Sequence, residues 1–404
     1  MIAIYLLPYP LRGIRAPYLW VFYKWMTVLR ERALFIVGND YLRNPESFAA
    51  EQRWELAGIS QTIYGYTPPT AERLAEHDFR LLPDDLYGSL LSACRGNPVE
   101  LFRRMLTERL PALEEAISAA LSGSGGEARP VEAILTWCNC PSLSAVAAAR
   151  NIRVVHLEVG PLRAPLYRPT AYLDFSGVNA NTEAEPRYSR LPPVDAAICA
   201  DRLRRFFLSG VLPPKDPIGR IGLALQVEDD SNLVAFGNGF DNQAAAVYVR
   251  LTHGGEGPIA IRAHPGSLFK IRGASWFETD ESYDSMEFIQ RCKRIVNVNS
   301  SLGLEAVLLG TPVTVLGECS YKFILDVADE KERLARLAFY LFAYLIPEAL
   351  QFDLDYLRFR LSDPGEMGIV DRHLRHYLGE PWTSNAAGRQ SIWALIDAAL
   401  RTPG

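Results

Sequence analysis

Short, almost wholly apolar runs alternate along the first half of the chain with stretches whose apolar residues recur every three to four positions. That is the alternation of buried strand and amphipathic helix found in βαβ units. The pattern predicts strands over 2–7 and 34–38, helices over 17–31, 46–57 and 86–94, a strand over 131–137, a helix over 143–150 and a strand over 153–159. A helix opening at Pro98 keeps its period towards Leu121 and is stopped by Ser122-Gly-Ser-Gly-Gly126, and Ser142 reads as the cap of the helix after the next strand. From 160 to 195 the pattern lapses into Gly, Pro, Asn and Arg, and a long loop inside a compact domain is more often functional than idle. A helix from Val194 to Leu208, bracketed by Pro192-Pro193 and Pro213-Pro214, places a hinge near 195–220. The alternation then resumes with strands over 221–227, 258–263, 274–279, 294–299 and 312–317 and helices over 241–252, 283–291 and 302–310. After Gly317 the pattern is helical, ending in Asn385 to Leu400. The fold class predicted is α/β: two Rossmann-like lobes, 1–200 and 201–320, with C-terminal helices over 321–404 packing across them.

Three strands of the second half end in residues capable of chemistry. Leu223-Ala-Leu-Gln226-Val runs out into Glu228, Asp229, Asp230, Ser231 and Asn232; Pro258-Ile-Ala-Ile-Arg-Ala ends in His264-Pro265-Gly266; and Arg294-Ile-Val-Asn-Val ends in Asn299-Ser300-Ser301. In open parallel sheets the ligand crevice lies beyond the carboxyl ends of the strands. The pattern therefore predicts one site assembled from three strand ends.

Composition narrows the class. With 404 residues, 49% of them apolar, the chain can bury two sizeable cores. A net charge of -5 gives no general attraction for nucleic acid or anionic lipid. Six cysteines without repeated paired spacing fit a reducing cytoplasm rather than a disulfide framework, and Cys138-Asn-Cys140 reads as structural before it reads as a metal or redox pair. The first residues lack the basic region of a secretory signal and read as a strand. The run Leu337 to Pro347 is shorter than the roughly 20 residues a membrane span needs and reads as a buried helix. The aromatic stretch Tyr18 to Met26 reads as a core helix, with a membrane interface as the alternative.

The chemistry available at the strand ends is phosphate and sugar chemistry. Ser300 and Ser301 precede a helix whose N-terminal N–H groups suit a phosphate, Gly303 allows close approach, and Glu305 can accept both hydroxyls of a ribose. An ordinary Ser-capped helix is the alternative. His264, fixed by Pro265, can hydrogen-bond a leaving phosphate or donate it a proton. The acids after Gln226 read as a general base or nucleophile, a solvated turn or a metal cluster. Glu158, at the end of its strand, would face the cleft from the opposite lobe and hold or deprotonate an acceptor hydroxyl, or merely pair with Arg163. His373 and His376 can share a helix face, but no carboxylate or Cys partner is evident in the sequence.

Gln226-Val-Glu-Asp-Asp230, Ala263-His-Pro265 and Ser300-Ser301 with Gly303-x-Glu305-Ala306 resemble motifs of bacterial transferases that use CMP-linked ulosonic acids. Their order is similar to the acid, His-Pro and Ser-Ser motifs of bacterial sialyltransferases. They are more similar to β-Kdo transferases, in which capsule enzymes of the KpsC and KpsS type carry a Gln-Val-Glu-x-Asp stretch, a His-Pro and a Gly-x-Glu-Ala helix. Glu158-x-Gly160-x-x-Arg163 resembles their Glu-Asp-Gly-Phe-x-Arg segment, with Val159 and Pro161 as departures. Over nearly its whole length the chain looks most like the β-Kdo module of O-antigen polysaccharide glycosyltransferases of the WbbB type.

The resemblance implies a GT-B-like arrangement with an acceptor-binding first lobe and a CMP-sugar-binding second lobe. It implies CMP-β-Kdo as donor, a lipid-linked polysaccharide (O-antigen) as acceptor, and no cofactor and no metal. It also implies a place in the cytoplasm, peripheral at the inner membrane, beside other glycosyltransferase modules of a larger chain. Gln226, His264, Pro265, Ser300, Ser301, Gly303 and Glu305 would hold CMP, with His264 assisting its departure. Glu158 would handle the acceptor, and Arg163 and Asp174 the acceptor or the sugar carboxylate. Retention would follow from double displacement through a carboxylate. The family's nucleophile aligns with position 232, where this chain has Asn232. Either the alignment slips and Asp230 is the nucleophile, or Asn232 stalls the enzyme with its shape preserved, in which case CMP or CMP-Kdo binds with little turnover; the second is favoured. An inverting CMP-sialic acid transferase with Asp230 as base and a non-catalytic polysaccharide-binding module are the alternatives.

Overall fold

The computed structural model describes residues 1–11, 14–122, 130–216, 218–267, 275–379, 382 and 391–402. Two compact units are present. The first comprises Met1–Glu158, Asp174–Gly177 and Phe352–Leu354; the second comprises Val159–Leu173, Val178–Gln351 and Asp355–Gly404. The division thus falls after Glu158, ahead of the expected boundary at 200, and the C-terminal helices belong to the second unit.

In the first unit β1 (Ile2–Tyr5), β2 (Leu34–Val37), β3 (Asp78–Leu81), β4 (Ala133–Thr136) and β5 (Arg153–Val159) are parallel in the order β3-β2-β1-β4-β5. This is the order of a doubly wound nucleotide-binding half, in which the chain reverses direction across the sheet beside its first strand. β1, β2 and β4 are buried throughout, which is why each reads as an unbroken apolar run. The helix Leu19–Val28 buries Leu19, Val21, Phe22, Tyr23, Trp25 and Met26, so the aromatic stretch is core.

The second unit repeats the order. After β6 (Thr170–Asp174) come β7 (Arg220–Ala224), β8 (Ile259–Arg262), β9 (Glu278–Thr279), β10 (Cys292–Asn297) and β11 (Val313–Val315). The last five are parallel and ordered β9-β8-β7-β10-β11, with the switch in direction between β7 and β10. A short β12 (Ile346–Pro347) pairs antiparallel with β6, Ile346 opposite Ala171. Before it, the helix Glu330–Phe339 passes into a π-helical turn, Tyr340–Tyr344, whose five residues are all buried. Among the described residues no helix is long and apolar enough to cross a membrane. The fold class expected from the pattern, α/β with two Rossmann-like units and a helical C-terminal segment, is the one observed.

Several element boundaries differ, each for a local reason. The helix expected over 46–57 is two 3-10 turns, Pro45–Glu51 and Trp54–Leu56, because Gln52 between them adopts a positive φ of 50°. The long helix from Pro98 is two, Pro98–Thr107 and Pro111–Ser122, because Pro111 lacks the N–H that continuation needs. Ser142 does not cap its own helix: its Oγ accepts from the Leu110 N–H at 2.8 Å, while Cys140 occupies the N-cap of Pro141–Ala148 without a side-chain bond. The half-exposed edge strand β3 had no apolar run to announce it. The loop over 160–195 contains β6 and a short helix, Ala184–Tyr188, and the helix from Val194 is only Ala200–Phe207. The expected strand over 221–227 ends at Ala224, and that over 274–279 is described only at Glu278–Thr279. Most of Ser122–Gly126 and residues 385–390 of the expected final helix lie outside the described residues.

Candidate active site at the strand ends of the second unit

The carboxyl ends of β7, β8 and β10 frame a cavity of about 320 Å³. It is lined by Arg163–Tyr167, by Ala224 and Leu225 after β7, by Arg262–Pro265 at the end of β8, by Tyr283–Ser285, and by Ser300, Ser301, Leu302 and Glu305 after β10. All of these residues belong to the second unit. The three strand ends meet where the sheet order reverses, but of the first only Ala224 and Leu225 line the cavity; Gln226, Glu228, Asp230 and Asn232 are not among its lining residues.

The frame is held by three buried amides. Gln226 donates from Nε2 to Asn299 Oδ1 at 2.9 Å and accepts the Asn299 N–H on Oε1 at 3.2 Å. Asn242 accepts the Gln226 N–H at 3.1 Å and donates to its carbonyl at 2.8 Å. Asn299 Nδ2 donates to the carbonyls of Asn232 and Phe236 at 2.9 and 3.1 Å. Gln226, expected to bind nucleotide, is thus a clip between the ends of β7 and β10, with both ends of its side chain spent on Asn299. Buried amides satisfied in this way specify one arrangement of their neighbours.

Ser300 and Ser301 line the cavity, but the helix after them, Leu302–Leu308, is short. Its first N–H groups are partly used: Gly303 donates to Ser300 O at 3.0 Å, Leu304 to Ser301 O at 3.0 Å, and Leu302 to Ser300 Oγ at 3.3 Å. Gly303 does not open the backbone to a ligand as expected. A Cβ there would stand 2.1 Å from the Tyr321 hydroxyl and 2.8 Å from Asn297 Nδ2, so protein groups already fill the space. Tyr321 in turn donates to the Ser300 carbonyl at 2.8 Å, fixing the serine turn from behind.

His264 and Pro265 line the cavity. The Gly266 N–H donates to His264 Nδ1 at 3.0 Å, which leaves the ring proton on Nε2 and makes that nitrogen a donor. Enclosure of the ring holds the imidazole below its usual range, with Arg163 and Arg262 acting in the same sense and Asp230 and Glu228 opposing. His264 is accordingly a neutral hydrogen-bond donor at neutral pH.

The acids separate by role. Glu228 accepts a short hydrogen bond from Ser267 Oγ. Asp230 is the N-cap of the helix Ser231–Phe236, its Oδ1 accepting the Asn232 N–H at 2.8 Å. Burial raises the Asp230 carboxyl above its usual range, against that hydrogen bond and the charges of His264 and Arg163. Asn232 is held at both backbone ends, by Asp230 and Asn299, and its side-chain Oδ1 is buried with no hydrogen-bond partner among the described residues. A buried acceptor with no donor costs about 1–3 kcal/mol.

Glu305 is 8% exposed and accepts from Ser285 Oγ at 2.6 Å. Burial raises its carboxyl, while Ser285, Tyr167, Arg163 and Arg262 act to lower it. The sign fixes a pH test. A carboxyl raised in the folded state stabilises the fold below its unfolded value, and that stability is lost as pH rises through the folded value. Glu305→Gln is therefore expected to stabilise the ligand-free protein at pH 7–8 by about 0.5–2 kcal/mol. The gain should vanish near pH 4, where both carboxyl states are protonated; thermal melts across pH 4–8 that show a constant offset would contradict this.

Other expected site residues are placed as follows. Arg163 lines the cavity and donates from Nε to the Gly160 carbonyl at 3.2 Å. Asp174, expected near the acceptor or the sugar carboxylate, is wholly buried in the first unit, where its Oδ1 accepts the N–H groups of Ser176 and Gly177 at 2.7 and 3.1 Å. It shapes a turn and is closed to ligands. Glu158 is half-buried at the end of β5 in the first unit, where burial holds the Tyr18 and Cys138 pKa values well above their usual range and the Glu158 charge adds to that rise. Cys138 and Cys140 are buried free thiols, and among the described residues no cluster of three metal-ligating side chains occurs. His373 is buried between the Phe342 carbonyl and the Tyr356 hydroxyl, and its pKa is pushed down to about 3. It is a core histidine.

Five polar or aromatic cavity residues had not been expected: Tyr167, Arg262, Tyr283, Asp284 and Ser285. Arg262 was visible as the polar end of an apolar strand, and Asp284 as an N-cap signal ahead of Ser285. Tyr283, 94% exposed at the rim, carried no signal of its own.

Residues 4–183 match the Glycosyltransferase 99 family N-terminal domain, and residues 220–331 match a family described as capsule polysaccharide biosynthesis protein. The second match contains every cavity residue from Ala224 to Glu305. Neither match spans half of the chain, and together they support a protein of glycosyltransferase type. Among solved structures the chain is similar to two transferases of Thermosulfurimonas dismutans KpsC. The beta Kdo 2,7 transferase has 16% identity and a TM-score of 0.40, covering 72% of this chain and 93% of that one. The beta Kdo 2,4 transferase has 18% identity and a TM-score of 0.37, covering 47% and 70%. The glycosyltransferase SnogD of Streptomyces nogalater is similar at 15% identity and a TM-score of 0.33, covering 88% and 99%. Comparison with curated proteins finds no match.

Proposed function

We propose that the chain is a β-Kdo transferase module of the WbbB type. It would take Kdo from CMP-β-Kdo to a lipid-linked O-antigen polysaccharide with retention of configuration, beside other modules at the inner face of the membrane. The observation that carries this reading is the convergence of Arg163, His264, Ser300, Ser301 and Glu305 on one cavity at the reversal point of the second unit's sheet. In this reading Ser300, Ser301 and Glu305 hold CMP. Arg163 and the Nε2–H of His264 answer the charge of the departing phosphate, so that no metal is required. A carboxylate at position 232 would attack the anomeric carbon as CMP leaves, and an acceptor hydroxyl would then displace it. In this reading Asn232 is the reacting position stalled as an amide, supported by Asp230 being engaged as a cap; because Asn232 does not line the cavity, the reading requires its side chain to become accessible when the donor binds.

The donor is tested by CMP release from the Asn232→Asp form. CMP-Kdo is expected to be turned over at least about tenfold faster than CMP-sialic acid. The reverse order would favour an inverting sialic acid transferase with Asp230 as base. Glycan binding without CMP binding would leave a non-catalytic polysaccharide-binding module.

A further inference from the structure

A second cavity of the same unit, about 380 Å³, is lined by four arginines, Arg168, Arg202, Arg205 and Arg401, together with Phe206 and Thr402. It shares no lining residue with the cavity at the strand ends, and among the described residues no aspartate or glutamate lines it. The arginines come from three separate elements. Arg168 precedes β6, Arg202 and Arg205 lie three apart on the helix Ala200–Phe207, and Arg401 ends the helix Ile392–Arg401. Residues three apart share a helix face.

Three of the four are oriented, and mostly by groups that leave their charge uncompensated. Arg168 donates to the Tyr377 carbonyl at 3.1 Å and stacks over the Phe206 ring at 4.5 Å. Arg205 donates to the Asp201 carbonyl at 3.3 Å. Among the described residues Arg401 is the one of the four that meets a carboxylate, that of Asp397, at 2.9 Å. Like charges gathered around one concave space repel, and guanidinium forks are suited to bidentate pairing with phosphoryl oxygens. Arg168 and Arg202 are half-buried while Arg205 and Arg401 are exposed, and all four border one cavity, large enough for two phosphoryl groups.

We propose that this arginine-lined cavity binds a phosphoryl-bearing anion, a phosphate monoester or diphosphate, at a site separate from that of the sugar nucleotide. The anion comes either from a soluble phosphate compound or from the headgroup of an anionic lipid, and the same four guanidinium groups serve for both.

The test uses the 404-residue chain and its Arg202→Gln/Arg205→Gln variant, with saturating CMP present to occupy the strand-end cavity. Inorganic pyrophosphate is titrated by calorimetry. Separately, the protein is sedimented with vesicles of phosphatidylcholine alone or mixed with phosphatidylglycerol. Binding of at least one probe is expected, weakened at least about tenfold in the variant and by added salt, while CMP affinity is unchanged. Loss of pyrophosphate binding identifies a soluble phosphoryl ligand, and loss of binding confined to the anionic vesicles identifies a lipid headgroup. The proposal is overturned if neither probe binds the unsubstituted chain, or if binding is the same in the variant. CMP affinity separates this outcome from any failure of the transferase reading, because the two cavities have no residue in common.

Discussion

Asn232→Asp is expected to raise the rate of Kdo transfer from CMP-β-Kdo by at least ~10³-fold, about 4 kcal/mol in the barrier. An amide oxygen is a poor nucleophile, and the exchange supplies an anionic oxygen without changing shape. The backbone cannot drift to accommodate it, since the Asn232 N–H is held by Asp230 at 2.8 Å and its carbonyl by Asn299 at 2.9 Å. Among the described residues the Asn232 Oδ1 has no hydrogen-bond partner, so none of them loses a bond to that oxygen in the exchange. Two carboxylates two residues apart would also interact, so the variant's rate should fall at low pH as one of the pair holds its proton. Intact-protein mass spectrometry with CMP-Kdo alone should show one added Kdo on the Asp form and none on the Asn form. If neither rate nor mass responds, while Asp230→Asn in that background abolishes what activity there is, the reacting carboxylate is Asp230.

Gly160→Ala is expected to cost about 3 kcal/mol and to lower the melting temperature by roughly 5–10 °C. Gly160 lies between Glu158 and Arg163, in the segment that resembles the β-Kdo transferases, and so invites a functional reading. Its N–H donates to the Thr170 carbonyl at 3.0 Å, which brings the two backbone segments together. A Cβ at this position would stand 2.2 Å from the Thr170 oxygen and 2.5 Å from its Oγ1, and backbone cannot yield as a flexible side chain can. The same segment carries Arg163 into the cavity. CMP affinity should therefore fall along with stability, and a melt unchanged to within a degree or two would show that the segments are free to separate.

Much of the fold was legible because parallel strands buried on both faces leave an unmistakable apolar signature. The run Arg153-Val-Val-His-Leu-Glu-Val159 became a strand with the predicted bounds. Elements without such a run were lost: β3 is half-exposed, and β6 sits inside a stretch dominated by Gly, Pro and Asn. Helix ends failed where one residue decided them, as Gln52 and Pro111 did.

The candidate site divides in the same way. The sequence by itself determined that three strands end in polar residues, that His264, Ser300, Ser301 and Glu305 lie at those ends, and that position 232 lacks a charge, because these follow from local order along the chain. Only the tertiary structure decided which polar groups are spent on the protein. Gln226 is consumed by Asn299, 73 positions away, Asp174 by its own turn, and the space at Gly303 by Tyr321. It also brought Tyr167, Tyr283 and Ser285 to the cavity and gathered four arginines from three elements around a second one. A side chain becomes available to a ligand only when no partner inside the fold has claimed it, and those partners are chosen by packing between segments far apart in the chain.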